Sequence, residues 1–190
     1  MPKCEHLKII IIFFFLLLFL CCPLLSEGRE AKFVDLLITN NTDNVLVYAR
    51  VTNCFTKTME SAILAGVPTT FTFLLDFYQE ESYWPDKRLV RRIVKNTIKY
   101  DNVKKIFHVS STDSEETAVF QTFDNAKAAM AELNGVAVIP LHVLANGRSY
   151  YFRVKAQLDK VRLPLHMEYL FFFVSLWDFE TDWHMQRIKY

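Results

Sequence analysis

The chain has 190 residues, only four glycines and 15% aromatic residues, which excludes a disordered or low-complexity protein. Its formal net charge is +1, and taking away residues 1–26, which hold Lys3, Lys8 and Glu5, leaves 20 basic against 20 acidic side chains. No basic excess is then left to neutralise phosphates, which argues against nucleic acid as a partner.

The first element is the apolar run Ile9–Leu25, with Lys3 and Lys8 ahead of it and Glu27, Arg29 and Glu30 behind. Leu, Ile and Phe side chains enter a bilayer at a gain of about 0.3–0.6 kcal/mol each at a helix centre. The run predicts delivery across a membrane. Its 17 residues suit either a long signal-peptide core or a short spanning anchor. Pro23 and Ser26 favour cleavage after Ser26 or Gly28, so residues 1–26 are read as a signal peptide or membrane anchor and 27–190 as one exported domain. A lipidated Cys21 or Cys22 fits less well, because Leu20 and Cys21 precede them where a small residue is needed. Lys3 and Lys8 keep the N-terminal end cytoplasmic under the positive-inside rule. Cys54 alone follows this leader, so the domain has no internal disulfide and must stand on its core. Cys54 itself reads as a buried, inert thiol.

Alternating patterns then predict a hairpin, Lys32–Thr39 and Val45–Val51, turned by Asn40–Asn44. Asn40-Asn41-Thr42 matches a glycosylation sequon, a pattern that is common by chance. A short helix capped by Thr56 carries Phe55, Met59 and Ile63 on one side and ends at Gly66 and Pro68. Thr69–Gln79 follows as a strand with Phe71, Phe73, Leu75 and Phe77 in strict alternation, and Tyr83-Trp84-Pro85-Asp86 is an aromatic turn. Arg88–Tyr100 fits both a helical and a strand period. Its β-branched residues favour a strand, with Asn102 turning into a second strand, Val103–Ser110. Thr117–Thr122 is a short strand. Asp124 is expected to cap a second helix that runs through Ala126, Ala129, Met130 and Leu133 and stops at Gly135. Val136–Leu144 is apolar and broken by Pro140, and Ala145–Arg148 is a turn. Tyr151–Val161 is the clearest strand, with Phe152, Val154, Ala156 and Leu158 on a core face opposite Arg153, Lys155, Gln157 and Asp159. Leu163-Pro164-Leu165 turns the chain, Tyr169–Trp177 reads as a core strand, and Trp183–Tyr190 as a final amphipathic one.

Many strands and two short helices predict a mainly β, two-layer β-sandwich, with an immunoglobulin-like arrangement as one form and a hydrophobic N-terminal helix ahead of it. A barrel holding an apolar ligand is the second choice.

Five segments carry a family resemblance: Ala62–Pro68 (AILAGVP), Ile98–Asp101 (IKYD), Tyr151–Ala156 (YFRVKA), Leu163–Leu165 (LPL) and Leu176–Trp183 (LWDFETDW). In this order they resemble a family of exported bacterial proteins, chiefly proteobacterial, known only as a domain of unknown function. The resemblance covers roughly residues 30–190. It implies a signal or anchor, an envelope location and a β-rich domain, and supplies no catalytic residue.

The residues themselves show no catalytic, cofactor or metal site. His108, His142, His166 and His184 stand at no metal-ligand spacing. His108, Ser110, Ser111 and Asp113 are triad residue types, but they crowd one short segment, whereas triads are assembled from distant parts of a fold. Asp178, Glu180 and Asp182 are expected to share one side of a strand, with Trp177, Phe179 and Trp183 on the other. A charged edge that resists sheet aggregation explains them better than a calcium site, which needs loop carbonyls as well. The expected function is therefore a non-enzymatic envelope module that binds a protein or an apolar ligand. The alternatives are a periplasmic hydrolase using residues such as His108 and Asp113, and a membrane-tethered structural domain.

Overall fold

A computed structural model describes residues 30–159 and 179–190. The apolar run Ile9–Leu25, the Leu-Pro-Leu turn, the strand expected at Tyr169–Trp177, and Asp178 lie outside the described residues.

Among the described residues, nine strands form two antiparallel sheets. The small sheet has the order β1 (Lys32–Asn40), β2 (Asn44–Thr52) and β7 (Glu132–Pro140). The large sheet has the order β6 (Thr117–Phe120), β5 (Ile106–Ser111), β4 (Lys87–Asp101), β3 (Thr69–Gln79), β8 (Ser149–Leu158) and β9 (His184–Lys189). The described residues also hold two helices, α1 (Lys57–Leu64) and α2 (Phe123–Met130), and a one-turn 3-10 segment at Leu141–Val143. The protein is a mainly β sandwich, and its strands separate into two sheets instead of closing into a barrel.

β3 is the centre of the large sheet. Its 11 residues pair with β4 on one side and β8 on the other. Phe71, Phe73, Leu75 and Phe77 point inward and are fully buried with Val94 and Ile98 of β4 and Phe152, Val154 and Ala156 of β8. Opposite them stand Val45, Val47, Ala49 and Val51 of β2 and Leu133, Val136 and Val138 of β7. Phe33 of β1 meets Phe73 at 6.5 Å between ring centres and His184 of β9 at 6.4 Å. Burial of such side chains at roughly 1.5–3 kcal/mol each is the main force holding the layers together.

α1 closes one end of the sandwich. Thr56 Oγ1 accepts the Met59 amide, as its position predicts. Met59 and Ile63 enter the core, and Gly66 ends the helix at φ +90°. α2 lies over β5, where Phe123 stacks on Phe107 at 5.0 Å.

Four local expectations are corrected. Asp124 is not the cap of α2: the helix begins one residue earlier, with Thr122 at the cap position, because Phe123 is held by Phe107, and Asp124 instead pairs with Lys127 at 3.1 Å. α2 also stops at Met130, five residues before Gly135. Leu133 and Gly135 belong to β7, since β2 needs a partner and Ala49 takes Leu133 across the sheet. β5 starts at Ile106 and not at Val103. Asp101 Oδ1 accepts the Val103 and Lys104 amides at 2.9 and 3.0 Å and bends those residues into a turn.

The fourth correction is Trp183. Thr181 N–H donates to Ala156 O at 2.9 Å, and His184 pairs with Val154. Between those points β8 has one residue, Lys155, while the C-terminal segment has two, Asp182 and Trp183. This bulge leaves Phe179 and Thr181 buried inside and turns Trp183 out over Arg153 at 4.3 Å. Trp183 therefore lies on the face opposite Phe179.

Gly135 adopts φ +70°, and a Cβ there would stand 3.1 Å from Tyr48 Oη and 3.3 Å from Cζ. Gly135→Ala should lower stability by about 1–3 kcal/mol through the strained backbone, read as a lower urea midpoint with unchanged slope.

Candidate functional site

The outward face of β3 carries the densest polar chemistry in the described residues. An outward position on a sheet normally faces water, yet Asp76 is 0% exposed. It is roofed by its cross-strand neighbours, Arg91 on β4 and Arg153 on β8. Arg91 clamps both carboxylate oxygens, Nε to Oδ1 at 2.6 Å and Nη2 to Oδ2 at 2.8 Å. Arg153 reaches Oδ2 through Nε at 3.0 Å and Nη2 at 2.8 Å. Burial alone would raise the Asp76 pKa, but the hydrogen bonds and charges of the two guanidiniums outweigh it and hold the carboxyl below its usual range. The same bonds push Arg91 further up.

Arg153 links this clamp to aromatic rings. Its Nη2 also donates to Tyr78 Oη at 2.8 Å, and its guanidinium lies between Tyr78 at 4.8 Å and Trp183 at 4.3 Å. Tyr78 stacks on Tyr151 at 4.9 Å with ring planes 5° apart. Tyr151 Oη donates to Asp86 Oδ2 at 3.0 Å, and burial followed by the Asp86 carboxylate raises its phenol to about 12. Asp86 Oδ1 accepts the Glu81 amide at 3.1 Å. The ladder thus runs along the sheet into the β3–β4 turn and stiffens it. That turn holds Tyr83 and Trp84 out at 95% and 80% exposure.

A second feature is a cleft of about 320 Å³ between β7, β4 and the β5–β6 turn. Asn96 sits at its base. Its Nδ2 donates to Met130 O at 3.1 Å and Glu132 O at 2.8 Å, while its buried Oδ1 has no partner among the described residues. Two carboxylates of the lining are already engaged: Glu132 by Arg50 at 2.7 Å and Asp113 by Arg92, which also donates to Ala137 O and so ties the two sheets.

The triad residue types separate. Phe107 and Val109 point into the core, so His108 and Ser110 face outward on β5, where they pair with Lys99 and Thr97. Ser111 and Asp113 line the cleft on the other side. His142 lies in the 3-10 turn and His184 on β9, away from His108. Glu180 is exposed and bound by Lys155, and no cluster of His, Cys, Asp and Glu suited to a metal ion occurs among the described residues. Cys54 is buried, and desolvation lifts its thiol to about 12, the state of an unreactive cysteine.

Sequence reasoning noticed the aromatic turn but missed the clamp. The signal was present: a lone Asp inside a phenylalanine strand, flanked by two arginine-bearing strands.

A family model, Domain of unknown function (DUF4390), matches residues 28–187, so the chain belongs to that family. No curated protein and no solved structure matches the chain.

Asp76→Asn should cost about 2–3 kcal/mol at neutral pH, the loss expected when charge-assisted hydrogen bonds are weakened and two arginines lose their counter-charge. Because the folded pKa lies below the unfolded value, the contribution of Asp76 is complete above about pH 4 and disappears as pH falls through the folded value. Urea midpoints at pH 7 and pH 3 should therefore differ more for the native chain than for Asp76→Asn.

Proposed function

We propose that this member of the DUF4390 family is an exported, non-enzymatic envelope module of proteobacteria that binds another protein through the aromatic tip of its β3–β4 hairpin. The observation that carries the reading is the exposure of Tyr83 and Trp84 on a turn held rigid from behind. Isolated exposed apolar residues are ordinary. Here, however, two large aromatics stand side by side, and the backbone beneath them is fixed by Asp86, Tyr151, Tyr78 and the arginine clamp. Tyr and Trp on a preorganised support are the residue types that dominate binding hot spots, because little entropy is lost on docking.

Export is supported by the run Ile9–Leu25 and its flanking charges. The balanced charge of residues 27–190 favours a protein or apolar partner over nucleic acid. The alternative of a periplasmic hydrolase built on His108 and Asp113 loses ground, since the large sheet stands between the two.

A photo-crosslinking amino acid in place of Trp84 should capture a discrete partner in intact cells, and the same group in place of Lys99 should not. Capture at neither site would overturn the reading. Trp84→Ala should abolish capture from position 83 while changing stability by less than about 0.5 kcal/mol, as befits an exposed residue. A large loss of stability would mark Trp84 as structural.

A further inference from the structure

We propose that the end of the sandwich opposite the aromatic tip rests on an anionic lipid bilayer. The fold brings together at that end every point where apolar chain leaves the described structure. Glu30 and Lys32 lie beside Thr181–His184, lining one shallow pocket with them. Leu158 N–H donates to Phe179 O at 2.9 Å, so the chain departs after Asp159 and returns at Phe179 at the same place. Phe179 packs on Phe71 at 5.1 Å, and Phe71 on Phe55 at 5.2 Å, ahead of α1.

Tether lengths then limit where the apolar segments can be. An extended chain spans at most about 3.3–3.6 Å per residue. Leu25 is five residues before Glu30, so the run Ile9–Leu25 ends within about 18 Å of Glu30. Tyr169 is ten residues after Asp159 and Trp177 two before Phe179, so the run Tyr169–Trp177 begins within about 36 Å and ends within about 7 Å of the same edge. With the leader retained as an anchor, two apolar stretches, distant in sequence, are therefore both tied to one end of the domain.

The described surface at that end has the matching chemistry. Val103 projects from the β4–β5 turn at 91% exposure and is followed by exposed Lys104 and Lys105. Leu64, 44% exposed at the end of α1, is the near neighbour: a Cβ on Gly66 would stand 2.9 Å from Asn102 Nδ2. Lys57 opens the same helix and is exposed. The acidic groups nearby are largely engaged: Asp101 by backbone amides, Glu60 by Lys127 at 2.7 Å and Asp159 by Lys95 at 2.6 Å. Glu30 and Asp182 are the exposed exceptions, and the exposed Glu180 is bound by Lys155. Apolar tips flanked by exposed lysines are what an anionic interface takes up, the side chain entering the acyl boundary and the ammonium groups meeting lipid phosphates. The assignment shares with the proposed function the premise that the chain is exported, but needs no partner at Trp84.

The test uses the full chain, with Cys4, Cys21 and Cys22 replaced by alanine, in vesicles of phosphatidylethanolamine and phosphatidylglycerol. Single cysteines at Val103→Cys, Leu64→Cys, Asn41→Cys and Asn146→Cys carry an environment-sensitive fluorophore, the native Cys54 being buried. Emission from positions 103 and 64 should shift to the blue and be quenched by nitroxide-labelled lipid. Emission from 41 and 146, at the opposite end, should stay that of water and resist the quencher. Lys104→Glu with Lys105→Glu, or replacement of phosphatidylglycerol by phosphatidylcholine, should reduce the shift at 103. Water-like emission at all four positions, or a shift confined to 41 and 146, overturns the proposal. A shift at 103 indifferent to both charge changes overturns its anionic part. Crosslinking at Trp84 can fail while these labels still report lipid, so the two readings fail separately.

Discussion

Everything in this fold depends on β3, which carries buried side chains on both faces. The inward face is easily satisfied, because four large apolar side chains meet the small sheet. The outward face carries Asp76 with no exposure to solvent, and a bare carboxylate there would be prohibitive. The structure meets that demand with two guanidiniums, one from each flanking strand. Once they are in place, Arg153 must lie flat, and the flat guanidinium gives Tyr78 and Trp183 a surface on which to pack. The clamp therefore fixes three strands in register and orders the aromatic ladder. A slip of one residue by β8 would put Arg153 on the core side and leave Asp76 with one guanidinium instead of two.

Much of the architecture was legible because both faces of most strands differ in kind. The bounds of β3 read directly from Phe71, Phe73, Leu75 and Phe77, and the core face of β8 from Phe152, Val154, Ala156 and Leu158. The segment Arg88–Tyr100, which satisfied two periods, resolved as part of the strand Lys87–Asp101, as its β-branched residues implied. Errors gathered where a local signal was outbid by a distant contact. Leu133 and Gly135 continue a helical pattern on paper, yet β2 requires their backbone as a ladder partner. Trp183 follows the alternation of Phe179 until one inserted residue reverses it. No local pattern announces such a bulge, because its cause is the pairing with β8.

The candidate site was less legible than the fold. Its parts lie at Asp76, Arg91, Arg153 and Trp183, and only cross-strand register brings them together. The reading that grouped His108 with Asp113 had the opposite difficulty. The two are close in sequence, and the alternation of β5 sends one to the outer face while the chain beyond Ser111 carries the other into the cleft. Asn96 illustrates a further limit: an asparagine in a strand looks ordinary until its amide is found tying β4 to the carbonyls around the start of β7.

The pairing of β1 with β2 is also interrupted. Register shifts by one residue between Val34 and Leu37, and Asp35 sits there at φ +55°. The shift restores Leu36 and Ile38 to the side of Phe33, which completes the core under that strand. It has a second effect on the strand's other margin. Among the described residues β1 terminates the small sheet, so its outer row of amides and carbonyls would be a template for a strand from another molecule. A kink bearing an aspartate breaks that row near its middle, where the Arg50 guanidinium also approaches at 3.9 Å. A foreign strand could match only a few residues before meeting charge and a misaligned backbone. Copies crowded together could then pass one another without zipping into fibres.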